Sequence, residues 1–271
     1  MTSIAEPGQT PAGIHELVRR WVPQGHTRAE MVLCHGFAEH SGRYEAMGDR
    51  FAAAGIAVTA HDQIGFGASG GRRAWVEAWS DVLDQIQAHL ERARAGGHPV
   101  VLLGHSGGGL FALEYTLAEL PGPDLLVLSA PLLALGGAAW QRLFAPILAR
   151  VAPRLEIPNP LDGAQLSRDP AVGEAYLADP LVHTRTTARF GHEMFKAMDR
   201  VNASLEKLAL PTLVIHGAAD TIVPPPASAP LGDLDVVERR LYPALRHELF
   251  NEPEGMDVVD DVIGWIGAHL S

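Results

Sequence analysis

The sequence predicts an α/β fold: a mostly parallel central sheet flanked by helices, with a helical cap inserted between two strands. Three observations carry that expectation. Short apolar, β-branched runs alternate with helical patterns, which is the rhythm of a parallel sheet. One such run ends in Pro99-Val-Val-Leu-Leu-Gly-His-Ser-Gly-Gly-Gly109, a serine between glycines at a strand-to-helix turn. The rhythm then breaks from Pro131 to about Arg189, where prolines punctuate the chain and no convincing strand appears.

Taken in order, the predicted strands are Leu17–Trp21, Met31–Cys34, Ile56–Ala60, Val100–Leu103, Leu125–Ser129, Thr212–His216 and Val236–Leu241. Helical patterns cover Tyr44–Ala54, Trp79–Ala95, Leu110–Leu120 and Met256–His269. In the second of these, Val82, Leu83, Ile86 and Leu90 oppose a polar face of Asp81, Asp84, Gln85, Glu91 and Arg92. Residues 1–130 and 190–271 are therefore read as the core and 131–189 as the cap. The first cap helix repeats apolar residues at helical spacing through Trp140, Leu143, Phe144, Ile147, Leu148 and Val151. Most of that stripe packs on the core; Trp140, Phe144, Ile147 and Leu148 are the candidates for an apolar slot above Ser106.

Composition narrows the function. A net charge of −11 opposes nucleic-acid binding, and the only basic clusters are arginine pairs. The single cysteine, Cys34, rules out an intrachain disulfide and reads as a buried, inert thiol. The first ten residues lack the basic and apolar regions of a signal peptide. Leu125 to Trp140 is apolar, but it is interrupted and shorter than the roughly 20 residues of a span. The expectation is a soluble, cytoplasmic protein.

The glycine-flanked serine is a nucleophile elbow. Its turn is strained, so the residues two places either side must lack side chains for the hydroxyl of Ser106 to clear the sheet. A serine hydroxyl is a weak nucleophile and needs a base held by an acid. In this fold the three follow in the order Ser, Asp/Glu, His. His247 lies in a loop after the last strand and is the base. Asp220, at the end of Leu213-Val-Ile-His-Gly-Ala-Ala-Asp220, stands beyond the carboxyl end of a strand and is the acid. Asp233 and Asp235 lie at the wrong end of the next strand and read as turn residues. His105 adjoins the serine, but strand alternation should turn it away from the reacting bond. The backbone N–H groups of Gly107 and Phe37 are the candidate oxyanion donors. The glycines of Asp62-Gln-Ile-Gly-Phe-Gly67 lack a Walker lysine and dinucleotide spacing. No group has metal-ligand spacing, so neither metal nor cofactor is expected.

These residues resemble the monoacylglycerol lipase and lysophospholipase branch of the α/β-hydrolases. The motif His35-Gly-Phe-Ala-Glu-His-Ser-Gly-Arg-Tyr44 matches that branch's signature, and the similarity spans nearly the whole chain. Leu161 to Asp169, Asp179-Pro-Leu-Val182, Tyr242 to Pro253 and the closing Asp261-Val-Ile-Gly-Trp265 also fit. The resemblance implies the α/β-hydrolase fold and hydrolysis of a fatty-acyl ester of glycerol, with Ser106, Asp220 and His247 as triad and Phe37 and Gly107 as oxyanion donors. It implies a small lipid ester as partner and transient membrane-surface contact through the cap. Lysophospholipids and simple carboxylic esters are the alternative substrates, and a non-catalytic ligand-binding protein is the rival class. Two departures stand out. The elbow has Gly107 where relatives carry Met, and Ile64 stands where they carry Arg.

Overall fold

The chain enters the sheet through β1 (Ile4–Gln9) and β2 (His15–Trp21), then alternates strands with helices. These are β3 (Ala29–Cys34), α1 (Glu45–Ala53), β4 (Ile56–His61), α2 (Ser80–Arg94), β5 (Val100–His105), α3 (Gly107–Leu117) and β6 (Leu125–Ser129). Next comes a segment off the sheet: α4 (Ala139–Val151), β7 (Glu156–Pro158), α5 (Pro170–Ala178), β8 (Arg185–Thr187) and α6 (Ala188–Asn202). The chain returns through β9 (Thr212–Gly217) and β10 (Val237–Tyr242) and closes with α7 (Gly255–His269). The computed structural model describes residues 3–136, 139–159 and 161–270, with backbone alone at 139 and 140.

The main sheet runs β1-β2-β4-β3-β5-β6-β9-β10, antiparallel at β1/β2 and β2/β4 and parallel across the rest. Strands β5, β6 and β9 are buried at every position. Strands covered on both faces read as continuous apolar runs, which is why they were visible in the sequence. One core joins Val32, Leu102, Leu126 and Val214 to α2, α3 and α6; the other joins Leu33, Val101 and Ile215 to α1 and α7. Cys34 lies in the first core, and burial pushes its thiol up to about 12. No helix among the described residues is long and apolar enough to cross a membrane.

Three features were not foreseen. Strand β1 is mostly exposed and contains Pro7 and Gly8, so it forms only as an edge and shows no apolar pattern. In the segment off the main sheet, β7 and β8 pair as a two-stranded antiparallel ribbon. Each has three residues, too few for alternation to register. Helix α3 begins at Gly107, earlier than the predicted Leu110, because three successive glycines resemble a loop until the close approaches they permit are seen.

Candidate active site

The order β4-β3-β5 marks the point where the winding of the sheet reverses, and loops at the carboxyl ends of its strands converge there. Ser106 follows β5 with φ 51° and ψ −115°, a conformation that L-residues avoid. The surrounding structure enforces it. A Cβ on Gly108 would run into the carbonyl oxygens of Cys34 and His35, so the turn can press against the end of β3 only with glycine there. His247 Nε2 lies 2.9 Å from Ser106 Oγ, and His247 Nδ1 lies 2.7 Å from Asp220 Oδ2. The structure thus brings together three residues that are 27 and 141 positions apart in the pairs they form.

The acid and base loops are fastened to each other. A Cβ on Gly217 would strike the carbonyl oxygens of Leu245 and Arg246, and Ala219 N–H donates to Leu245 O at 3.0 Å. Asp220 Oδ1 accepts from Ile222 N–H at 2.8 Å and Val223 N–H at 3.0 Å, which leaves Oδ2 for His247. Burial pushes the Asp220 carboxyl up, but hydrogen bonds from His216 and His247 outweigh it and hold the group well below the usual carboxylate range. It is an anion throughout the working range of such a site.

Gly107 and Phe37 also meet. A Cβ on Gly107 would lie 2.9 Å from Phe37 N, so the start of α3 and the loop after β3 are in contact. Among the described residues neither N–H finds an acceptor in the protein, as an oxyanion site requires. The loop bearing Phe37 is held by Glu39, which accepts Gly36 N–H at 2.6 Å and the Tyr44 hydroxyl at 2.6 Å. Arg43 pairs with Glu39 and, through two nitrogens at 2.6 and 2.9 Å, with Glu248. Its guanidinium stacks 4.8 Å from the Tyr176 ring. A single half-buried cation therefore ties the loop after β3 to the residue after His247 and to α5. His40 Nε2 meets Asp179 at 2.8 Å, and His183 N–H donates to Ala38 O at 2.8 Å, joining this loop to the segment between α5 and β8. The family-like motif from His35 to Tyr44 is mostly this scaffold. Glu248 and Tyr176 were missed, since nothing local marks them as partners of Arg43.

A cavity of about 290 Å³ opens above Ser106 and is mainly apolar away from the serine. Phe144 and Leu148 line it, joined by Ile157, Met194, Phe195 and Met198. Ile147 does not. It is 55% exposed and shares an outward stripe of α4 with Leu143 and Val151, which are 68% and 70% exposed. The helix is apolar on two faces: residues 144, 145 and 148 face the cavity and 143, 147 and 151 face outward. Spacing alone does not choose between them. The side chain of Trp140 lies outside the described residues.

His105 also departs from expectation. Its ring lies 4.9 Å from that of His247 and lines the cavity, because the left-handed turn at Ser106 ends the strand alternation. Burial and then the neighbouring His247 push it down to about 3, so it stays neutral. Ile64, noted above as a departure from the family pattern, is buried in the core, and Asp62 accepts from Ser41 N–H at 2.8 Å and Ser41 Oγ at 2.6 Å.

Glu16, His61 and His89 bring ligand-type atoms within 4.8 Å of one another, a grouping that sequence spacing did not show. The two imidazoles stack with planes only 4° apart. A ring nitrogen's lone pair lies in the plane of its ring, so parallel stacked rings cannot both point at one ion. His89 Nε2 instead meets Glu16 at 2.9 Å.

With this geometry in view, comparisons with known proteins are specific. A family model described as serine aminopeptidase, S33, matches residues 25–254. The chain is 37% identical over 268 residues to a monoacylglycerol lipase of Mycolicibacterium smegmatis, covering 95% of each. It is 34% identical over 217 residues to a human monoglyceride lipase, covering 78% of this chain and 71% of the relative. Among solved structures it resembles a monoacylglycerol lipase of Paleococcus ferrophilus, with TM-score 0.85 at 30% identity over 93% of this chain and 98% of that one. A soluble variant of a Saccharomyces cerevisiae monoglyceride lipase matches in fold, with TM-score 0.91 at 24% identity over 100% and 97%.

Proposed function

The chain belongs to the serine aminopeptidase S33 family, in the monoacylglycerol lipase branch of the α/β-hydrolases, and from that premise we propose that it hydrolyses monoacylglycerols to fatty acid and glycerol. The observation that carries the reading is the aligned set Ser106–His247–Asp220 at the foot of an apolar cavity. In the proposed mechanism His247 Nε2 takes the proton of Ser106 as Oγ attacks the acyl carbonyl, and Asp220 stabilises the imidazolium. The N–H groups of Phe37 and Gly107 receive the oxyanion. His247 then returns the proton to the departing glycerol oxygen, leaving an acyl-enzyme on Ser106. Water activated by the same imidazole releases the fatty acid.

The cap, residues 131–189 with the start of α6, is proposed as the lid that supplies the acyl slot through Phe144 and Leu148. Each buried methylene contributes about 0.8 kcal/mol, so medium and long acyl chains should outcompete acetyl esters. A second acyl chain would need the same cavity, so kcat/KM should fall from mono- to di- to triacylglycerols. The expected ranking is checked with monoacylglycerols of increasing length, triacylglycerol, acetate esters, lysophosphatidylcholine and an aminoacyl amide. Preference for the amide would support the peptidase activity in the family's description and overturn the lipase reading. Preference for acetate would move the chain to the simple esterases.

We also propose that the outward stripe Leu143, Ile147 and Val151, continued by exposed Leu155, touches the lipid surface from which substrate is drawn. Leu143→Ser/Ile147→Ser is expected to weaken co-sedimentation with phosphatidylcholine vesicles severalfold while leaving hydrolysis of a water-soluble ester unchanged. Equal sedimentation of the two proteins overturns this contact.

A further inference from the structure

Asp220 Oδ2 serves two imidazoles. Besides His247 Nδ1 at 2.7 Å, His216 Nε2 stands 3.3 Å away. His216 is the penultimate residue of β9, is wholly buried and does not line the cavity, so the reaction as proposed leaves it without a task. We infer that His216 is a positioning residue for the acid: it holds Asp220 Oδ2 with an N–H that Ser228 and Arg239 fix in place. This rests on the reading of Asp220 and His247 given above.

The hydrogen-bond partners determine the tautomer. His216 Nε2 faces Val223 O at 3.0 Å as well as the carboxylate. Neither can donate, so Nε2 carries a proton. His216 Nδ1 faces Ser228 Oγ at 2.8 Å. Arg239 Nε donates to that same hydroxyl at 3.0 Å, leaving Ser228 one proton of its own to give. The competing acceptor, Pro225 O, is farther at 3.2 Å and already receives an Arg239 N–H at 2.7 Å. The hydroxyl proton therefore goes to His216 Nδ1, and the ring is neutral with its proton on Nε2. A chain of close polar contacts thus runs Arg239, Ser228, His216, Asp220, His247, Ser106, hydrogen-bonded at each step except the 3.3 Å approach of His216 Nε2 to Asp220 Oδ2.

The arrangement has a consequence for turnover. When His247 becomes an imidazolium it draws Oδ2 toward itself, and the backbone donors of Ile222 and Val223 restrain only Oδ1. His216 restrains the other oxygen. As a neutral donor it also leaves the negative charge of Asp220 to His247 while drawing part of its density away. The charged and titratable groups facing this ring are Asp220 and, through Ser228, Arg239, with His247 across the carboxylate.

Two replacements separate positioning from packing. His216→Leu fills the space without a donor, and His216→Gln returns an N–H near the Nε2 position. For His216→Leu, kcat should fall about tenfold or more with KM within about threefold of wild type, as for other supporting partners of reacting groups. The acid side of its kcat/KM profile should move to higher pH, because a carboxylate with one donor fewer holds the proton on His247 more firmly. His216→Gln should recover most of both. Ser228→Ala keeps the ring and removes the hydroxyl that fixes it, so it should move the acid side in the same direction with a smaller loss. That variant carries the test if His216→Leu does not fold. A folded His216→Leu with wild-type kcat and acid side overturns the inference, as does equal loss in the Leu and Gln variants or a loss confined to KM. Fluorophosphonate labelling of Ser106 in the same preparations keeps the two readings apart. Labelled wild type with unaffected His216 variants refutes only the positioning role, whereas absence of labelling at Ser106 refutes the mechanism beneath it.

Discussion

Ser106→Ala is expected to lose ester hydrolysis by on the order of 10⁴-fold or more while melting close to wild type. The size follows from what remains. The oxyanion N–H groups, the cavity and His247 are all intact, but no atom is left to form the acyl-enzyme, and positioned binding alone gives only residual rate over water. The fold should tolerate the change, because alanine presents the same Cβ as serine to a turn already held at φ 51°. The lost hydrogen bond is the 2.9 Å contact with His247 Nε2 at the foot of an open cavity, where water can take the place of Oγ. A fluorophosphonate should label the wild type and leave the variant unlabelled. Near wild-type turnover in Ser106→Ala would remove this residue from the mechanism, whatever the geometry around it.

That serine was legible because its constraints are local: the strand, the turn and the glycines all fall within eleven residues. The central strands were legible for a similar reason, since burial on both faces leaves a continuous apolar run such as Val100–Leu103. Asp220 and His247 needed two further rules, the chain order Ser, Asp, His and the gathering of reacting groups at the carboxyl ends of strands. What escaped was set by neighbours distant in sequence. Arg43 gathers Glu39, Glu248 and Tyr176 from three segments, and no spacing announces that meeting. His216 looked like the last residue of a strand, and only the positions of Val223, Ser228 and Asp220 reveal its proton. On α4 the apolar period was real, yet two faces of the helix satisfy it. Ile147 went to the wrong one because the outward stripe is as apolar as the inward one.

Asp220→Asn should cost about as much as is lost when the acid of a serine protease triad is made an amide, roughly 10⁴-fold in kcat, with the fold retained. The direction in which the amide settles decides this. Its oxygen must face Ile222 N–H and Val223 N–H, which are fixed donors on the side of Oδ1. The NH₂ group then takes the place of Oδ2, opposite His247 Nδ1 and His216 Nε2. Facing a donor, His247 Nδ1 must become an acceptor, so its proton moves to Nε2 and points at Ser106 Oγ. An imidazole in that tautomer cannot take the serine proton, and the charge that would stabilise its imidazolium is gone. The pH dependence tests the same point in the unaltered protein. Since the Asp220 carboxyl is held well below the usual range, it stays ionised as pH falls, and the acid loss of kcat/KM comes from protonation of His247, which acts only when neutral. Asp233→Asn and Asp235→Asn, altered ahead of β10 and away from its carboxyl end, should keep wild-type rates. Full activity in Asp220→Asn together with its loss in either control would give the role of acid to the wrong loop.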